Sequence, residues 1–316
     1  MFAPREMIVQ VGSCAMDPQV VIGILKGLPL PILVAAVALL AGWWKYGRKA
    51  AGGTEPHASA SEIWPRWTAG LALAGAVIAL YCVRIGTPDF PVRESVQWAP
   101  VAAVFALLVS ILEPAGIARA KWRWALRGAL IAGAVPFILH KRSQAGITAG
   151  EIAAWTAGFA VLATLAWYSM ERTSAIRGWQ GPLVLLTGVG LSSMTLVASG
   201  SVKLGEIAGG LAAALGVAVV LGIFLPRLSL AGAGTTTVAL VMATLWLIGV
   251  HYSELPRLLM ALLMLSAPAS LLANLRQVNR LGGWKGAALR VMLAAAPCLA
   301  ALAIAIPKAI EDSGEY

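Results

Sequence analysis

Ten long apolar runs, separated by short segments that hold most of the charges, constrain this chain more than any other feature. They lie near residues 20–44, 66–85, 98–114, 124–140, 150–169, 182–199, 204–225, 230–250, 255–274 and 287–306. About 20 apolar residues in a helix cross the hydrocarbon core of a bilayer. Only a segment that satisfies its own backbone hydrogen bonds does so. The runs show no period-two alternation, so helix is selected over strand. The predicted fold class is all-α, a polytopic transmembrane helical bundle of about ten spans. Residues 1–316 are read as one integral-membrane domain. The fourth run is short and 204–250 is nearly continuous, so nine or eleven spans are the alternatives.

Composition supports the same reading. Charged residues make up 12% of the chain and hydrophobic residues 59%. A water-soluble domain carries about a quarter charged residues, so too few polar side chains remain to cover a solvated surface. The net charge of +10 suggests nucleic acid only if a folded basic module is present, and none is. The chain's first partner is therefore the lipid bilayer, with no nucleic acid, and a homo- or hetero-oligomer within the membrane is compatible with its short loops.

The basic residues sort by side. Lys45, Arg48, Lys49 and Arg66, then Arg119, Lys121, Arg123 and Arg127, then Arg172, Arg177 and Arg227, then Arg276, Arg280, Lys285 and Arg290 all fall in the odd-numbered connections. Cytoplasmic loops keep the Lys/Arg excess, which places both termini on the outer, periplasmic side. Trp43, Trp44, Trp122, Trp124, Trp167 and Trp284 fall toward the same inner interface, the depth that amphipathic rings prefer. Residues 47–63, rich in Gly, Ala and Ser, are read as a flexible cytoplasmic loop. Cys14 follows Val-Gly-Ser, as at a lipoprotein cleavage site, but the preceding residues lack an apolar h-region. An uncleaved chain is the expectation.

Internal markers hint at a repeat. Trp64-Pro65-Arg66 opens the second run and Leu225-Pro226-Arg227 the eighth. Ala106-Leu107-Leu108 and Ala261-Leu262-Leu263 follow, then Ala125-Leu126-Arg127 and Ala288-Leu289-Arg290. A parallel repeat of spans 1–4 onto spans 7–10 would resemble the duplications seen in transporters. A Gly-Glu-Ile-Ala tetrad occurs twice, at 150–153 and 205–208, and suggests a different register. Thr148 and Glu151 have capping-box spacing, whereas the second copy has no Ser or Thr three residues before Glu206. Both copies are therefore read as helix starts, with a carboxylate near the positive end of the dipole.

Chemistry is sparse. No run carries an ionisable residue at its centre, the usual mark of an ion pathway. The sixth run is the most polar, with Thr187, Ser192, Ser193, Thr195 and Ser199. Hydroxyls in that pattern line a solute cavity or let helices pack closely and bond across the contact. His251 and Glu254 form the densest outer-face cluster, with Tyr252 and Ser253 between them. An imidazole beside a carboxylate suits acid–base or metal chemistry, but no His-x-x-x-His or His-Glu-x-x-His spacing is present. No catalytic residue, cofactor or metal is assigned. Whether the chain is an enzyme stays open, with a non-enzymatic role favoured.

Residues 196–216 (LVASGSVKLGEIAGGLAAALG) and 251–256 (HYSELP) resemble a group of uncharacterised polytopic bacterial inner-membrane proteins of similar length. The resemblance implies a bacterial inner membrane and no known activity, substrate or cofactor. Three functions follow as expectations. The first is binding or passage of a small neutral or lipid-like solute along the sixth to eighth spans. The second is a structural or accessory subunit of a membrane complex. The third is a membrane enzyme with an outer-face site.

Overall fold

The computed structural model describes residues 27–43, 66–88, 92, 94–116, 120–143, 147–272 and 283–313. The loop expected at 47–63 and Cys14 lie outside the described residues. Every regular element among them is helical: α1 Pro29–Gly42, α2 Arg66–Arg84, a 3₁₀ turn Ser95–Gln97 leading into α3 Trp98–Gly116, α4 Ala120–Ser143, α5 Ala149–Ser174, α6 Gln180–Ala198, α7 Val202–Phe224, α8 Ala233–Tyr252, α9 Arg257–Leu272 and α10 Gly283–Ser313.

These ten helices fall on the ten apolar runs, but they are not equal as spans. Six are long and apolar enough to cross a membrane: α2, α5, α6, α7, α8 and α10. Helices α1 and α9 are apolar but shorter, and α3 with its leading turn is counted as apolar only over the shorter stretch Ser95–Ser110. The 14 residues of α1 rise only about 21 Å, against a hydrocarbon core of roughly 30 Å. Helix α4 continues through residues read from sequence as loop, so Lys121, Arg123, Arg127, Lys141 and Arg142 lie within it. Large apolar side chains stand exposed around the bundle, including Phe137, Val161 and Phe224 at 69, 68 and 74%. Such a surface is a liability in water and the normal contact in lipid. The chain is a multi-pass membrane protein.

Contacts at the helix ends show that the chain alternates in direction. At one end Arg84, closing α2, reaches Glu206 in the first turns of α7, and Tyr252, closing α8, donates to the Ile138 carbonyl of α4 at 2.7 Å. At the other end Arg127 of α4 meets Glu171 of α5, and Arg290 of α10 donates to Gln180 of α6 at 3.0 Å. The second group belongs to the end where sequence places the basic connections.

Helix α8 is the axis of the bundle. Buried positions fill 94% of its span, against 17% for α5 and 22% for α10. Helices α2, α3, α4 and α5 pack on it, and α7 and α9 touch it lightly. Close approach comes from small residues. A Cβ on Gly70 of α2 would stand 2.8 Å from the Ala233 Cβ of α8.

The two Gly-Glu-Ile-Ala copies prove different in kind. In the first, the Thr148 Oγ1 accepts from the Glu151 N–H at 3.2 Å, and a Glu151 carboxylate oxygen accepts from the Thr148 N–H at 3.0 Å. That is the expected capping box. In the second, Ser201 occupies the cap position without a side-chain cap bond. Glu206 instead pairs with Arg84, which donates from Nη2 to Oε1 and from Nε to Oε2, the latter at 3.4 Å. Gly205 and Gly209 press on α6, and Gly210 presses on Leu80 of α2. The second tetrad is thus both a helix start and a crossing point.

The parallel repeat is not visible in the packing. Helix α1 lies along α2 and α2 along α3, whereas α7 lies along α6 and touches α8 only slightly.

Candidate functional site

The hydroxyls of α6 are spread around the helix, and most are spent on backbone. Thr187 donates to the Leu183 carbonyl at 2.9 Å, Thr195 to Leu191 at 2.9 Å and Ser199 to Thr195 at 2.8 Å. Each is a bond to the carbonyl four residues earlier, which satisfies the hydroxyl inside its own helix. Ser193 donates across to the Gly205 carbonyl of α7 at 2.7 Å. Ser192 is fully buried; its Oγ has no oxygen or nitrogen partner among the described residues and lies against the Cys298 thiol of α10. These five residues therefore do not share one opening. Of the threonines that begin α8, Thr235 has the Ser174 Oγ at 2.7 Å or the Leu230 carbonyl at 3.0 Å to donate to, Thr237 donates to the Ala233 carbonyl, and the buried Thr236 Oγ1 has no partner among the described residues.

Beside this helix lies a cavity of about 20 Å³ where α5, α6, α8, α9 and α10 meet. That is room for about one water molecule. Its walls are mainly apolar, and the polar lining comes from Thr173, Ser266, Ser270 and Trp246. The Thr173 and Ser270 hydroxyls are 2.9 Å apart and bridge α5 to α9. Of the α6 residues, Gly188, Val184, Leu185 and Val189 face the cavity; the five predicted hydroxyl residues do not line it.

At the Arg84 end, His251 and Glu254 have different surroundings. His251 is 8% exposed and stands edge-on to Trp155, with ring centroids 4.7 Å apart. Arg257 lies over the same Trp155 ring at 5.1 Å. Glu254 is exposed and adopts φ +58°, a left-handed conformation that turns the chain from α8 to α9. The Leu255 N–H, just beyond it, donates to the Gly249 carbonyl at 3.0 Å. Glu254 is a turn residue and His251 part of an aromatic shelf at the helix end.

The best-built polar centre is at the opposite end, and it was not singled out from sequence. Arg127 is 3% exposed. Its guanidinium lies 4.6 Å from the Trp124 ring centroid and 4.8 Å from that of Trp167. Stacking between two aromatic faces suits the planar, weakly hydrated guanidinium. Its Nη1 lies 3.8 Å from Glu171 Oε2, and Glu171 Oε1 accepts from the Gly232 N–H at the start of α8 at 3.0 Å. Beside it, Ser229 donates to the Ser174 carbonyl at 2.9 Å. One carboxylate thereby ties α4 and α5 to the N-terminus of the central helix, where a negative charge is favoured. The signal available in sequence was Trp124 at three residues before Arg127, one helical turn. The charge count had placed Arg127 in a loop. This centre is a clamp: both charges are engaged within the protein.

Among the described residues, no three His, Cys, Asp or Glu side chains converge as metal ligands would. Comparison with protein-family models, with curated proteins and with solved structures finds no match. Function is therefore read from geometry alone.

Proposed function

We propose that the protein is a structural or accessory subunit of a membrane complex, embedded in a bacterial inner membrane. Both termini lie outside, and the Arg127 end, with its basic connections, faces inward. The observation that carries this reading is that most of the α6 hydroxyls are taken up by bonds within the protein. Four of the five α6 hydroxyls expected to line a path, those of Thr187, Ser193, Thr195 and Ser199, donate to backbone carbonyls. The cavity beside them has room for about one water. Passage of a solute would need those groups to share an opening, and none of the five lines the cavity beside α6.

Extraction in a mild detergent or directly into lipid nanodiscs tests the proposal. The expected particle holds more protein than one 32.8 kDa chain, as a second copy or a different subunit. A solitary chain that saturably binds a small neutral or lipid-like solute would overturn the proposal and restore the solute reading.

A further inference from the structure

The cavity between α5, α6, α8, α9 and α10 combines the volume of a small guest with an unbalanced set of hydrogen-bonding groups. Thr173 and Ser270, whose hydroxyls are 2.9 Å apart, offer acceptor capacity. Ser270 donates its only proton to the Ala267 carbonyl at 2.7 Å, and Thr173 has the Ser169 carbonyl at 3.0 Å or Ser270 Oγ to donate to. Each oxygen keeps a lone pair beyond these bonds. The same lining also carries donors. The Trp246 Nε1–H is buried without a partner among the described residues, on a side chain 2% exposed. Ser266, 4% exposed, sets its hydroxyl against the Cys298 thiol, a weak acceptor.

We infer that this cavity is a binding site for one water molecule. Holding a water takes roughly 10–15 Å³ and two to four polar partners; the cavity has about 20 Å³ and four polar lining side chains. The volume is enough for one water. The water accepts from the α8 or α9 donor and gives its protons to the Thr173 and Ser270 oxygens. In doing so it joins the central helix to α5 and α9, which bond to each other directly through Thr173 and Ser270 but have no direct bond to Trp246. A bridging water is nearly as good in enthalpy as a direct hydrogen bond. A cavity with apolar walls throughout would stay dry.

Hydroxyl-radical footprinting of the full chain in nanodiscs, with radicals generated by an X-ray pulse, tests this. A bound water generates radicals in place, so adjacent methionines oxidise despite their burial. Met170 and Met242 line the cavity, whereas Met260 and Met264 do not. All four are 5% exposed or less. Met170 and Met242 are expected to oxidise several-fold faster than Met260 and Met264, and equal rates would overturn the site. Ala294→Leu fills the cavity from α10 and should bring Met242 down to the rate of Met264. A Met242 rate unchanged in a folded A294L protein would overturn the assignment. The comparison within the unaltered protein decides on its own if that variant fails to fold.

Discussion

Gly222→Ala in α7 sets the strictest test of how this bundle is packed. A Cβ at Gly222 would stand 2.8 Å from the Gly178 carbonyl carbon and from the Trp179 N and Cα. Carbon atoms in good contact are about 3.5–4.0 Å apart, so α7 or the α5–α6 turn must give by roughly 0.7–1.2 Å. The obstacle is backbone. The turn is pinned by the Gly178 N–H, which donates to the Leu228 carbonyl at 2.8 Å, and by the positive φ of Gly178, +75°. A flexible side chain would swing aside, and this segment does not. Overpacking of this kind costs about 1–3 kcal/mol. Gly216 on the same helix is the control, because a Cβ there meets nothing within 4 Å. Both replacements gain the same helix propensity, about 0.8–1 kcal/mol, so that gain cancels in their difference. Gly216→Ala is expected to be neutral or stabilising, with Gly222→Ala about 1–3 kcal/mol below it. A kcal/mol moves Tm by roughly 2–4 °C in a 150–250-residue protein and by less in a longer chain. Heating detergent-solubilised samples and measuring the surviving monodisperse fraction reads the gap, which should be a few degrees. A Gly222→Ala protein as heat-resistant as Gly216→Ala would refute the reasoning.

Other perturbations follow from the same contacts. Thr148→Ala removes the acceptor for the Glu151 N–H and should destabilise the start of α5 by about 0.5–2 kcal/mol, visible as faster amide exchange at residues 149–152. Arg127→Lys should fail to replace Arg127, since an ammonium does not stack flat between Trp124 and Trp167; Arg127→Ala should cost more than Arg127→Lys, because it also empties the buried space beside the two tryptophan rings, and a thermal shift would rank the two. Arg84→Ala breaks a partly exposed pair with Glu206 and should cost no more than about 1 kcal/mol; a loss comparable to Arg127→Ala would contradict that ranking. In a chain with Cys14 and Cys82 replaced by Ser, Glu254→Cys should react with a membrane-impermeant thiol reagent added to intact cells, and Arg227→Cys only after permeabilisation. The opposite pattern would invert the proposed orientation.

Some of the architecture was legible in the residues. The apolar runs gave the helices their places because a chain that satisfies its backbone in lipid has helix as its simplest answer. The Thr148–Glu151 spacing foretold a capping box because that interaction spans only three residues. The α6 hydroxyls were legible as polar residues, but their direction was not. Each rotates toward whichever carbonyl or neighbouring helix is nearest, and only the packed neighbours decide between Leu183, Leu191 and Gly205. Arg127 was hidden because the charge pattern marks both an interfacial loop and a helix end drawn inside the protein. What separates the two cases is Trp167 and Glu171, brought from another helix.

The sequence by itself determined that this chain is helical, multi-pass and lipid-embedded, since length and hydropathy answer directly to the bilayer. Only the tertiary structure decided which helix is central. Helices α8 and α5 have similar hydropathy, 1.7 and 1.4, yet 94% of one span and 17% of the other are buried. In water a buried helix would differ in composition from an exposed one. In a membrane the lipid tails are as apolar as the protein interior, so hydropathy reports depth in the bilayer and is silent on which neighbour a helix meets.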